Sequence, residues 1–297
     1  MNLFDLLVTQ ALQSNQELSP LRVVVEKELL HHDILREMAE AGLLQSLTFM
    51  GGTCLRACYG SNRMSEDLYF TGGAAFKREQ LQALGQVLTQ RLHIKYGLRI
   101  EISEPQRETG NVDTWKLKII THPEQPHLPM QRINIDICAI PSYEPRPMVL
   151  RNHYQVDMGT SGLILQAESR GEILANKLIA LTLRNRIKNR DLWDIAWLRQ
   201  QAVELPLPLV ANKIIDHKHT TLAFVTLLQQ RLQQLATDPT LEHDFNAEMR
   251  RFLPADIAKR TVENPQFWIY LRNTVVEEGQ RVLRYLEQDT ATPDFSM

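Results

Sequence analysis

Two aspartates lie in apolar runs where carboxylates are out of place. Asp67 falls in Ser65-Glu66-Asp67-Leu68-Tyr69-Phe70, and Asp136 in Ile133-Asn134-Ile135-Asp136-Ile137-Cys138. Aspartate is depleted in strands, and a carboxylate buried in one needs a partner charge or a metal. Residues two apart share a strand face, so Asp67 looks the same way as Tyr69, and Asp136 the same way as Asn134 and Cys138. Brought together, the two acids would hold a divalent cation; at strand ends they would only be solvated. Ahead of them, Met50-Gly51-Gly52-Thr53 reads as a strand entering a helix through two glycines. Such a turn lets backbone approach a ligand, and the first helical amides favour an anion. Thr53 adds a hydroxyl. Taken alone, a Gly-Gly turn is more often plain geometry.

A third group lies further on. The capping-box form Ser169-Arg170-Gly171-Glu172 opens an expected helix running to about Ile187. On it Lys177, Arg184 and Lys188 stand seven and eleven apart, on one stripe. Asp191 and Asp194 share a face of the next helix. Lys177 suits a phosphate as a mobile point charge, and either acid suits orienting that lysine, holding a ligand hydroxyl or serving as a base. The plainer alternative is a solvated charge run over 184–190, with Arg190 and Asp194 forming a surface salt bridge. His31-His32 and His217-Lys218-His219 have no convergent partner nearby in sequence and read as surface histidines. Cys54, Cys58 and Cys138 are too few and too odd in number for a disulfide framework. They read as small residues of a reducing cytosol.

The combination Phe49-Met50-Gly51-Gly52-Thr53, Leu55, Cys58-Tyr59-Gly60, Arg63 and Ser65-Glu66-Asp67-Leu68 resembles the signature of the AbiEii/AbiGii nucleotidyltransferase toxins, whose fold is similar to that of DNA polymerase β-like nucleotidyltransferases. The likeness continues in Glu172-Ile173-Leu174-Ala175-Asn176-Lys177-Leu178 and in Lys188-Asn189-Arg190-Asp191-Leu192-Trp193-Asp194. It implies a triphosphate held at Gly51, Gly52 and Thr53, with Lys177 and Arg190 as further nucleotide ligands. It implies Mg²⁺ on Asp67 and Asp136, and catalytic roles for Asp67, Asp136, Lys177 and Asp191. It also implies an NTP substrate, an RNA acceptor of the tRNA class and a cognate antitoxin, in phage defence or growth arrest. The pattern calls for a second aspartate at position 69, where this chain has Tyr69. A neutral phenol is a poor magnesium ligand, so impaired transfer is expected. The alternatives are an inactive module that still binds NTP or RNA, and a purely protein-binding component of a defence complex.

The elements that must position these residues follow from periodicity. Residues 1–45 read as helices, with strands expected at 47–50, 66–70, 98–103, 114–121 and 132–140. Helices are expected at 53–59, 76–96 and, from about 170, over the rest of the chain, with Trp193 and Trp197 in its core. The fold class is α+β: a nucleotidyltransferase-like mixed-sheet domain with flanking helices over 1–165, then a helical domain over 166–297. A net charge of −2 gives no global argument for nucleic acid, so any such surface is a local patch. The N-terminus lacks a basic region before its apolar residues and no apolar run spans a bilayer; a cytoplasmic protein without membrane contact is expected.

Overall fold

Alternation of apolar and polar residues builds a sheet with one dry and one wet face. In the computed structural model, which describes residues 2–106, 111–124 and 130–291, the strands are β1 (Thr48–Met50), β2 (Leu68–Thr71), β3 (Arg99–Ser103), β4 (Val112–Ile120), β5 (Gln131–Cys138), β6 (Pro145–Val149) and β7 (Ile164–Glu168). They form one mixed sheet in the order β3-β4-β5-β2-β1-β7-β6. β2 runs parallel to β5 and β1 parallel to β7, while the remaining pairs are antiparallel. Phe49, Leu68, Phe70, Trp115, Leu117, Ile133, Ile135 and Ile137 are buried. The residues between them in register, including Tyr69, Thr114, Lys116, Asn134 and Asp136, are half-buried or exposed.

The chain divides into two compact units, Met1–Glu168 with Phe252–Ala255, and Ser169–Arg251 with Asp256–Met297. The first holds the sheet and helices α1 (Leu3–Ser14), α2 (Arg22–Glu40), α3 (Gly51–Tyr59) and α4 (Leu84–Tyr96). The second is helical: α5 (Arg170–Leu183), α6 (Asn189–Gln200), α7 (Leu207–Asp216), α8 (Thr221–Thr237), α9 (Leu241–Met249), α10 (Ala255–Arg260) and α11 (Pro265–Ala291). Its core includes Trp193 and Trp197, both buried, with Trp193 against Phe267 at 5.5 Å between ring centroids. Among the described residues no helix is long and apolar enough to cross a membrane.

The structure corrects four expectations. β6 and β7 lie between residues 141 and 169, outside the strands expected above; Pro145 and Pro147 disguise β6, an edge strand, where proline is tolerated. The acidic strand starts at Leu68 rather than Glu66, so Asp67 stands at its entrance. The helix opened at Ser169 ends at Leu183, where Arg184 turns extended (φ −69°, ψ 149°). Lys177, Arg184 and Lys188 therefore do not share one helical stripe. Finally, His31 and His32 are buried.

Those histidines belong to a polar cluster beneath α3. Glu28 on α2 is buried and accepts from the Ser65 amide at 3.0 Å and from Arg56 Nε on α3 at 3.2 Å. The Tyr154 hydroxyl also donates to it. His31 Nε2 donates to the Glu66 carbonyl at 3.0 Å, and His153 Nε2 to that of Arg56 at 2.9 Å. Burial holds His32 down to about 4, so it is neutral at physiological pH. Burial alone would raise Glu28, but Arg56 and Tyr154 outweigh it and keep the carboxyl below its ordinary value of 4.5. One buried carboxylate thus ties α2 to α3 and to the segment leading into Asp67.

Removing it leaves Arg56 buried without its counter-charge, so Glu28→Ala should cost about 3–5 kcal/mol. A depressed carboxyl stabilises above its unfolded value and loses that contribution as pH falls through the folded one. Urea unfolding of wild type and variant should therefore show a large gap at pH 7 that narrows in acid; a pH-independent gap would mean the charge is not what matters.

Candidate active site

The first side of the site is the entrance to α3. Gly51 has φ +77°, in the left-handed region that favours glycine. It turns β1 directly into the helix. The Tyr69 ring lies over it: a Cβ added at Gly51 would stand 3.5 Å from Tyr69 Cβ and Cδ2. Gly52 is glycine for another reason. A Cβ there would fall 1.9 Å from Arg63 Nη2. The hydroxyl of Thr53 is used internally, 2.6 Å from the Ser65 hydroxyl and donating to the Asp67 carbonyl. Thr53 thereby pins the first turn of α3 to the base of the acidic strand.

The second side is the wet face of the sheet. Pairing of β2 with β5 sets Leu68 beside Ile135 and Tyr69 beside Asp136. Asp67 Oδ1 accepts from the Asn134 amide at 2.8 Å. Asp136 Oδ1 accepts from the Thr114 hydroxyl at 2.6 Å. The Asp136 carboxyl sits above its ordinary value of 3.8, first because it is desolvated and further because the charge of Asp67 opposes its ionisation; Thr114 and Lys116 work the other way. The two acids expected from the sequence are therefore neighbours. Thr114 and Lys116 were not singled out in the sequence. Their alternation with Trp115 and Leu117 shows a face, but only the register of β4 on β5 puts that face beside Asp136.

The third cluster lies within the helical unit. Lys177 Nζ is 2.7 Å from Asp191 Oδ1 and 2.8 Å from Asp194 Oδ2. Arg184 also donates to Asp191. Glu172 is paired with Lys213 at 2.8 Å, both fully buried. Arg190 Nε is 3.4 Å from Glu248. Lys188 is pushed below the usual lysine value by partial burial and then by Arg186, Arg184 and Arg190; like charges are crowded here.

The residue set can be tested against Mg²⁺. Among the described residues no three Asp, Glu, His or Cys side chains converge on a metal position. Asp67 and Asp136 each use one oxygen, Oδ1, in the hydrogen bonds above. Magnesium is commonly held by one or two carboxylates, with water and phosphate oxygens completing the octahedron. The pair fits one such ion; with Tyr69 in place of a third acid it does not fit two.

Comparison with known proteins decides the family. The description "Nucleotidyl transferase AbiEii toxin, Type IV TA system" matches residues 33–273. The chain belongs to the AbiEii family of nucleotidyltransferase toxins. Its structure is similar to MenT4, a nucleotidyltransferase toxin of Mycobacterium tuberculosis, with a TM-score of 0.57 at 16% identity over 97% of this chain and 98% of that one. JHP933 from Helicobacter pylori gives a TM-score of 0.44 at 17% identity, covering 89% and 95%. A search of the curated proteins finds no match. The likeness to MenT4 is one of fold: a mixed sheet with many helices. Membership in the AbiEii family carries nucleotidyl transfer within a type IV toxin–antitoxin system, with an NTP as donor and an antitoxin as counterpart.

Two crowded carboxylates make a measurable signature. A carboxyl raised above its unfolded value destabilises the fold once ionised, so stability is lost as pH rises through the folded value. Asp136→Asn should therefore raise the melting temperature of the metal-free protein at pH 7, and the gain should vanish below the ordinary carboxylate range. Added Mg²⁺ should stabilise wild type and not the variant. A variant less stable than wild type at every pH would overturn this reading of the pair.

Proposed function

We propose that this AbiEii-family chain transfers a nucleoside monophosphate from a Mg²⁺-bound NTP to an RNA acceptor of the tRNA class, at a rate limited by Tyr69. The observation that carries the reading is the placement of Asp67 and Asp136 side by side on the sheet face reached from the Gly51-Gly52 turn. In this reading the amides of Gly51, Gly52 and Thr53 take the triphosphate at the start of α3. Asp67 and Asp136 hold the ion, which when bound supplies charge neutralisation on the phosphates. In the helical unit, Lys177 is assigned to phosphate, with Asp191 orienting it and Asp194 completing its hydrogen bonding. Arg190 is assigned to the nucleotide. The crowded cations from Arg184 to Lys188 suit RNA phosphates. Phosphoryl transfer is chiefly positioning and electrostatics, which is why one missing carboxylate weighs heavily. A module that binds NTP or RNA without transfer is the competing reading, favoured by Tyr69 alone.

Total RNA incubated with each labelled NTP separates them. Tyr69→Asp should raise label transfer by about 10²–10⁴ over wild type, the weight of a main electrostatic group in the transition state. Growth inhibition should rise in parallel, and Asp67→Ala in the same background should abolish both. Transfer unchanged by Tyr69→Asp would show that position 69 is no metal ligand here. NTP binding without any transfer in either protein would establish the binding module.

A further inference from the structure

Arg63 has no role in the reading above, yet it shapes the first turn of α3. It is 2% exposed, and Nη1 donates to the Met64 carbonyl at 3.1 Å. Its guanidinium occupies the place where a side chain at Gly52 would start: an added Cβ would meet Nη2 at 1.9 Å, Cζ at 2.8 Å and Nη1 at 3.1 Å. Gly52 has no positive φ, so its backbone would accept any residue. The absence of a side chain at position 52 is thus explained by space for Arg63. The two neighbouring glycines have different physical reasons, Gly51 for its backbone angle and Gly52 for the cation beneath it.

We infer that Arg63 is a positioning residue for the nucleotide phosphates. A guanidinium keeps its charge at any physiological pH and presents a rigid plane. Packed under Gly52, it fixes the height of the first amides of α3 and places permanent positive charge behind them, where a triphosphate would lie. The inference rests on the proposal that this turn receives an NTP, and adds that Gly52 and Arg63 work as one unit.

A double-mutant cycle tests it in the full chain, with calorimetric binding of Mg²⁺-tripolyphosphate, the Mg²⁺-NTPs and a nucleoside. Arg63→Gln should weaken triphosphate binding about 10- to 100-fold, the weight of a charge-assisted contact. Gly52→Ala should do the same, because the methyl group displaces the guanidinium. In the Arg63→Gln background, Gly52→Ala should cost little, since nothing is left to displace. Nucleoside affinity should stay unchanged, which a general loss of structure would not allow. If Arg63→Gln does not fold, Arg63→Lys carries the cycle: a severalfold loss is expected, and a smaller cost of Gly52→Ala because an ammonium yields more easily. Additive losses, or equal losses for nucleoside and NTP, would overturn the inference. Wild-type protein that binds NTP no better than Arg63→Gln would overturn it alone. Wild-type protein that binds no triphosphate at all would overturn the proposed function and this inference with it.

Discussion

Everything at the candidate site hangs on the parallel pairing of β2 with β5. Asp67 Oδ1 takes the backbone amide of Asn134, a donor fixed by the sheet itself. The same register carries Asp136 two residues further along β5, beside Tyr69. A slip of one residue would turn the carboxylate of the shifted strand into the dry face, where an unpaired charge is prohibitive. The apolar alternation that holds the register therefore also keeps the acids together and wet. The cost is visible at Asp136, whose carboxyl is raised first by desolvation and further by the charge of Asp67.

Behind the sheet entrance the same problem is solved by pairing instead of exposure. Glu28, Arg56, Tyr154 and the Ser65 amide satisfy one another in a buried cluster, and His31 adds a bond to the Glu66 carbonyl. Buried ion pairs of this kind contribute little net stability, but removing one member is costly. Here the cluster joins α2, α3 and the residues leading to Asp67, so the turn and the acid are referred to one anchor. The helical unit repeats the device twice, in Lys177 with Asp191 and Asp194 and in Lys213 with Glu172. A lysine clamped between two aspartates has its ammonium fixed in place by both.

The departure at position 69 sits where the two halves of the sheet-side site meet. Tyr69 lies over Gly51 and beside Asp136. Its ring fills space next to the turn that a compact carboxylate would leave open, so the change alters shape as well as charge. Membership in the AbiEii family stands on the match over residues 33–273.

Local chemistry was legible in the sequence. The glycine turn, the helix from Ser169, the alternating strands and the two misplaced aspartates follow from short-range rules of backbone angle, capping and periodicity, and the family likeness added the type of reaction. What needed tertiary structure was everything set by contacts distant in sequence. The burial of His31 and His32 depends on residues 153 and 160, far along the chain. β6 and β7 are short, one of them interrupted by prolines, and gain their strand character only by pairing. Thr114 and Lys116 join the acidic face through cross-strand register, which no local pattern encodes. Gly52 looks in sequence like its neighbour, a glycine for turning. Only packing shows that its missing side chain is the space Arg63 occupies, because the spacing between them carries no record of where a guanidinium ends.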